Sequence, residues 1–153
     1  MTSVETTLPA DIAVIWTYRD GQFLAVQGFP ERDALRPGVA VVICTYVRPD
    51  SLRRFLCSLS EQTRQPDQLI VVDASPDDST EAMMRAFTNL AGLAAEVLYV
   101  RVAGALRGLT RQRNLGAKFV TVDKLAYFDD DVVLLPTCLE EMARVHQEYG
   151  ETV

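Results

Sequence analysis

The chain has 153 residues, with 15 Lys or Arg against 21 Asp or Glu for a formal net charge of −6, and it is 48% hydrophobic and 8% aromatic. At about 100–200 residues per domain this composition describes one globular domain with a single sizeable core, and it excludes a disordered chain. The acidic balance also excludes general affinity for nucleic acid or for an anionic membrane surface, since both need a basic field.

Apolar runs such as Val39 to Cys44 are far shorter than the ~20 residues that span a bilayer, so no transmembrane segment is expected. The start, MTSVETTLPAD, has neither the basic flank nor the apolar stretch of a secretory signal, and a cytoplasmic location follows as the expectation. Cys44, Cys57 and Cys138 are widely spaced and His146 is the only histidine. That pattern disfavours a disulfide scaffold and a zinc site, and it leaves no Ser-His-Asp or Cys-His pair to complete. Cys44 and Cys57 are expected to be small core residues, and His146, in the polar stretch HQEYGE, a solvated one.

In chain order, AVIWTYRDGQFLAVQ reads as two β-prone runs around Asp20-Gly21, a dipeptide suited to a hairpin turn whose two central residues need positive φ. Arg36-Pro37-Gly38 marks a change of texture, and a boundary is placed there: residues 1–38 form an extension with a β-hairpin, and 39–153 the main domain. VAVVIC over 39–44 is a continuous apolar run, as expected of a strand buried on both faces of a parallel sheet. Pro49 and Asp50 open a helix in which Leu52, Phe55, Leu56 and Leu59 recur at i, i+3, i+4, i+7, leaving Arg53, Arg54 and Glu61 outside; Gln65-Pro66 ends it.

The alternation continues. A strand is expected over Leu69 to Val72, then a capping stretch Ser75-Pro76-Asp77-Asp78 and a helix from Glu81 to Leu90. Asp77 and Asp78 read as acids complementing that helix's dipole. A strand over Glu96 to Val102, a helix over Thr110 to Val120 with Leu115 and Phe119 on one face, a short strand over Leu125 to Phe128 and a helix from Pro136 to Gln147 follow. Glu140 and Glu141 on that last helix read as a solvated face. Strand and helix alternating in this way predict an α/β fold with a mainly parallel, doubly wound sheet, in which ligands bind beyond the carboxyl ends of the strands.

The residues at those ends are Thr45-Tyr46, Asp73, the segment before Thr110 and Asp129-Asp130-Asp131. Between Val97 and Val122 stand Arg101, Arg107, Arg111, Arg113 and Lys118 with no acidic residue, a local anion site in an acidic chain. The acidic triplet that follows offers hard oxygen ligands to a magnesium- or manganese-like ion. Basic groups beside a carboxylate-held cation suit a diphosphate, because the metal neutralises phosphate oxygens while arginine and a helix N-terminus supply donors.

Four segments, VAVVICTYVRPDSLRRFLCSL, LIVVDASPDDST, GLTRQRNLG and YFDDDV, come in the order and spacing that resemble the nucleotide-binding half of family 2 glycosyltransferases of the GT-A fold. The resemblance covers roughly Val39 to Met142. It implies transfer of a sugar from a nucleoside-diphosphate sugar to an acceptor hydroxyl, with a divalent metal (Mn or Mg) as cofactor. By the same resemblance Thr45 and Tyr46 would contact the nucleotide and Asp73 would read the base. Arg113 and Asn114 would flank the nucleotide, Asp129 or Asp130 would meet the ribose, and the metal would lie on Asp131 with Asp129 as its companion.

The chain departs from the family pattern at Val47, where many members carry Asn, and at Ala74, where a second Asp is frequent, so a base preference is not carried over. Only 22 residues follow Asp131, whereas the family's acceptor site and general base lie in a further half, so no base is assigned. A domain truncated there predicts an uncovered sheet edge, with self-association or a partner chain.

Three other readings compete. A non-catalytic module that binds a nucleotide sugar would keep the donor half alone. FDDDVV also fits a D-x-D-x-[TV] phosphohydrolase nucleophile, but that motif belongs on a first strand. A dinucleotide oxidoreductase lacks its G-x-G-x-x-G after the first strand.

Overall fold

The computed structural model of the protein describes residues 7–31 and 33–150. The first six residues, on which part of the reading of the chain's start rests, lie outside the described residues, as do 151–153 of the expected main domain. Six strands form one mixed sheet with spatial order β2-β1-β5-β4-β3-β6. They are β1 (Ile12–Arg19), β2 (Gln22–Ala25), β3 (Arg36–Thr45), β4 (Gln68–Asp73), β5 (Glu96–Val102) and β6 (Val122–Asp129). Strands β3 to β6 are mutually parallel where they pair, and β1 runs antiparallel to both β2 and β5.

The helices are α1 (Pro49–Ser60), α2 (Ser79–Ala86), α3 (Leu109–Lys118) and α4 (Cys138–Tyr149). Strict alternation along the central strands builds two cores. Val41 and Ile43 of β3 with Leu69 and Val71 of β4 face α1, α2 and α4, whereas Ala40, Val42, Ile70 and Val72 face α3. This is the double winding expected, and it explains why β3 and β4 read as unbroken apolar runs. The α1 stripe Leu52, Phe55, Leu56, Leu59 is fully buried, each side chain contributing ~1.5–3 kcal/mol of transfer free energy. Leu115 and Phe119 of α3 are buried as expected.

The hairpin turns at Asp20 (φ 54) and Gly21 (φ 77), both left-handed. It is built into the sheet, since β1 pairs with β5 from Ile12 opposite Val102 to Arg19 opposite Glu96. Past the hairpin, Phe29 stacks on Phe119 with ring centroids 4.8 Å apart, so this stretch covers the α3 face.

Four expectations need correction. The first helix stops at Ser60, short of Gln65-Pro66, and just beyond it the buried Gln62 donates to the Leu135 carbonyl. The second helix stops at Ala86 and not at Leu90, because Phe87 turns to an extended backbone and packs against the core; a single 3-10 turn at Leu90–Gly92 then buries Leu90 and Leu93. The fourth parallel strand begins earlier, at Val122, where it pairs with Arg36. Cys57 is exposed, because it falls on the outer side of α1 next to the buried Leu56, whereas Cys44 is half-buried. His146 is exposed as expected.

Candidate functional site

In chain order the parallel strands run β3, β4, β5 outward to one side and then cross back to β6 on the other side of β3. The direction of winding reverses between β3 and β6, and the carboxyl ends of the strands there open a crevice. A cleft of about 610 Å³ lies at this point, lined by Cys44, Thr45, Tyr46 and Arg48 from the end of β3, by Ala74 after β4, by Arg107, Gly108, Leu109 and Gln112 at the start of α3, and by Asp129, Asp130 and Asp131.

The floor is a hydrogen-bonded seam between the two strands. Thr45 Oγ1 donates to Asp130 Oδ2 at 2.7 Å, and both residues are buried. Arg48 lies 3.4 Å from Asp130 and 3.9 Å from Asp131, so one guanidinium spans two carboxylates of the triplet. Asp129 is paired 3.3 Å from Arg113, whose guanidinium also lies over the Tyr127 ring at 5.5 Å. The triplet therefore divides: Asp130 is sequestered, while Asp129 and Asp131 present carboxylates with 64% and 59% of the side chain exposed.

Among the described residues no three acidic, histidine or cysteine side chains converge on one point. The donor set is thus one or two exposed carboxylates. It fits a magnesium- or manganese-like ion that completes its shell with phosphate oxygens and water, and it does not fit an all-protein cage.

Not every residue singled out from the sequence reaches the cleft. Asp73 has no exposed surface; its Oδ1 accepts the N–H of Ser75 at 2.9 Å and its Oδ2 the Tyr99 hydroxyl at 2.6 Å. Burial and this bond to a carboxylate hold the Tyr99 phenol far above its ordinary range. The residue that meets the cleft after β4 is Ala74. Arg113 faces Asp129 from beside the cleft, and Asn114 is exposed outside the lining. Asp77 accepts the backbone N–H of Ser79 at 3.1 Å and also its hydroxyl, which holds the Asp77 carboxyl below the usual range; Asp78 occupies the N-cap without a side-chain cap bond. Glu140 accepts from the Thr63 hydroxyl at 2.8 Å, and Glu141 pairs with Arg144.

Several contributors were missed in the sequence. Gln112 is buried and its Nε2 donates to the carbonyls of Val72 (3.0 Å) and Thr45 (3.3 Å), tying α3 to the ends of β4 and β3. Its signal was available: it lies three residues before Leu115 and so on the apolar face of α3. Gly116, on that same face, permits the close approach, because a Cβ there would stand 2.6 Å from Val42 Cγ1. Gly108 starts α3 with φ 123, a conformation closed to other residues, and accepts the N–H of Gln112 through its carbonyl. Arg48 could have been noted as the cation directly before the helix proline. Burial pushes the Cys44 thiol up to about 12; Arg113 opposes this, and Asp129 and Asp130 add to it.

Comparison with known proteins gives the family and the fold. The model of the family described as Glycosyl transferase family 2 matches residues 40–153. A curated relative, validoxylamine A glucosyltransferase of Streptomyces hygroscopicus subsp. limoneus, is 30% identical over 115 residues, which is 72% of this chain and 24% of the relative. Among solved structures, S. aureus TarS 1-349 in complex with UDP is similar at a TM-score of 0.57 and 20% identity, covering 72% of this chain and 32% of that one. A mannosyltransferase from Pyrobaculum calidifontis, PcManGT, in complex with GDP-Man and Mn2+, is similar at a TM-score of 0.60 and 22% identity over 81% of this chain and 37% of that one. These likenesses establish the GT-A fold, and the chain spans between a quarter and two fifths of the length of these relatives.

Proposed function

The chain belongs to glycosyltransferase family 2, and on that premise we propose that its cleft binds a nucleoside-diphosphate sugar, as the donor-binding part of an enzyme that transfers the sugar to an acceptor hydroxyl. The observation that carries this reading is the meeting, in one cleft at the sheet's winding reversal, of an acidic triplet, two arginines and the start of α3. Carboxylates alone would repel a diphosphate. Arg48 and Arg107 together with the helix N-terminus offset that charge, so the cleft suits a ligand that brings phosphates and a divalent cation together.

Asp131, with Asp129 as companion, would hold the cation. When bound, Mn or Mg neutralises charge on the diphosphate as it leaves. Thr45 and Tyr46 at the end of β3 would lie along the nucleoside. Asp130, fixed by Thr45 and Arg48, would keep the triplet's backbone in place, and of Asp129 and Asp130 the exposed Asp129 is the nearer candidate for the ribose. Asp73 would serve the base indirectly, by fixing the turn that carries Ala74, and Arg113 and Asn114 would act from the flank, Arg113 by orienting Asp129. Residues 39–153 would then constitute the donor-binding unit, with 1–38 as an extension added to its sheet.

The mannosyltransferase's complex with GDP-Man and Mn2+ and TarS's complex with UDP support a nucleotide sugar and a metal for this site. The general base is assigned to no residue.

Thermal unfolding of the purified chain with UDP, GDP and their sugar conjugates, with and without manganese, tests the proposal. A ligand bound only by the native state adds ~2.7 kcal/mol at a concentration of 100 Kd. The expected result is a manganese-dependent rise in Tm for one nucleotide that is lost in Asp131→Ala. A folded chain whose Tm responds to none of them would overturn the donor reading, and binding without sugar transfer to any acceptor would favour the module.

A further inference from the structure

The described stretch before the hairpin is tied by Asp11 to the loop that leads into the cleft. Asp11 stands directly before β1, and there it clasps the loop between β5 and α3. Its carbonyl accepts the N–H of Ala103 at 2.8 Å and its Oδ2 accepts the N–H of Ala105 at 3.1 Å. Gly104 lies between them with φ 53, a conformation that favours glycine, and a Cβ there would stand 2.9 Å from Asp11 Oδ1 and press on this carboxylate. From the other side Arg111 donates to the Ala105 carbonyl at 3.0 Å. The loop is therefore fastened at its middle by two charged side chains, one from the N-terminal extension and one from the first turn of α3.

What the loop carries is Arg107. It follows the turn Gly104–Leu106 and precedes Gly108, whose φ of 123 starts α3. Arg107 lines the cleft and is exposed, and among the described residues its guanidinium has no carboxylate partner, whereas Arg48 and Arg113, the other cations at the triplet, are both engaged by it. An unengaged guanidinium on the wall of a cleft that also holds Asp131 is the cation best placed for an anionic group of the ligand.

We propose that Asp11 is a positioning residue: by clasping the 103–107 loop it holds Arg107 at the cleft for the diphosphate of the donor, so that the N-terminal extension contributes to ligand binding without touching the ligand. This rests on the donor reading above and deepens it. A pre-positioned arginine avoids the ordering cost that a free loop would impose on binding.

The test is a double-mutant cycle on the whole chain. Kd is measured by calorimetry for UDP and GDP with manganese, in the unchanged chain, Asp11→Ala, Arg107→Ala and the double variant, with Asp11→Asn as the conservative replacement. Asp11→Ala should weaken binding of the preferred diphosphate about tenfold, as expected for a lost charged contact. Asp11→Asn, which keeps a side-chain oxygen for Ala105, should retain most of the affinity. Adding Asp11→Ala to Arg107→Ala should cost nothing further, because the two changes remove one interaction.

A purely structural Asp11 would instead weaken binding equally with or without Arg107. That result, or unchanged affinity in Asp11→Ala, would overturn the inference while leaving the donor reading intact. Failure of the unchanged chain to bind either diphosphate would overturn the donor reading, and this inference with it.

Discussion

The backbone N–H of Val47 donates to Ser75 Oγ at 2.8 Å, which ties the loop after β3 to the loop after β4 at the lip of the cleft. Val47 makes this bond from a left-handed backbone, φ 52, which a β-branched side chain adopts only at a cost. At this position Asn would have a physical advantage, since it adopts that conformation more readily than Val.

Val47→Asn should therefore stabilise the chain by about 1 kcal/mol, the scale of the left-handed penalty. Urea unfolding would register this as a higher midpoint with an unchanged slope. Ser75→Ala, which removes the acceptor, should lower the midpoint. A Val47→Asn chain no more stable than the parent would mean that the loop relaxes the strain in another way.

Tyr99 and Asp73 form a second pair, with the phenol donating at 2.6 Å to a carboxylate that has no exposure at all. Tyr99 also stacks on Trp16 with centroids 5.3 Å apart, so the hairpin, the centre of the sheet and the turn before Ala74 are joined through one ring. Tyr99→Phe keeps the ring and strands a buried acceptor, which costs ~1–3 kcal/mol. Differential scanning calorimetry should show the lower Tm; an unchanged Tm would mean that Asp73 finds another donor.

Much of this architecture was legible in the sequence. Asp20-Gly21 specified its turn because a two-residue hairpin needs positive φ twice, and Glu96–Val102 was bounded correctly as a β-prone run between Ala94-Ala95 and Ala103-Gly104. The cleft was legible as a rim, since the end of a parallel strand is fixed once the strand is. What escaped was the depth of each side chain. Asp73 ends β4 and Asp131 follows β6, yet one is sealed by Tyr99 and the other is open, a difference created by a partner 26 residues away. Gln112 and Asn114 are two residues apart on one helix, so a 3.6-residue period turns one toward the strand ends and the other to solvent. The end of α2 was misplaced for a related reason, because Phe87 leaves the helix in an extended conformation and packs, partly buried, against the core.

Gly116 provides a test of how closely α3 must sit on the sheet. A methyl there would meet Val42 Cγ1 at 2.6 Å and Val72 Cγ2 at 3.3 Å, and both valines are fully buried. Gly116→Ala should destabilise by ~1–3 kcal/mol as the helix is displaced. Because Gln112 rides on the same helix, nucleotide affinity should fall as well. Retained stability would show that α3 can shift outward without cost.

Two exposed carboxylates set an acid limit. Asp123 is held below the usual range by the hydrogen bond from Lys124 and then by the N–H of Gly38, and Asp77 by the hydroxyl and N–H of Ser79. A carboxyl whose folded pKa is depressed adds stability that is complete above its unfolded value and lost as pH falls through the folded one. The unchanged chain should therefore exceed the Asp77→Asn/Asp123→Asn variant in urea midpoint near neutrality, with the gap closing as pH falls through and below the ordinary aspartate range. A gap independent of pH would assign the difference to geometry and not to charge.

The cysteines give a direct reading of the cleft in solution. Cys44 lines it yet stays half-buried, and its thiol is held up at about 12 chiefly by burial, so almost no thiolate forms near pH 8. Cys57 stands exposed on the outer side of α1. Since alkylation proceeds through the thiolate and needs access, iodoacetamide should modify Cys57 well before Cys44 in the folded chain. Denaturant should then bring Cys44 to a rate like that of Cys57, which peptide mapping by mass spectrometry would follow. Equal rates in the folded chain would mean that the strand end bearing Thr45 opens to solvent, and the seam between Thr45 and Asp130 would then not be the fixed floor that donor binding requires.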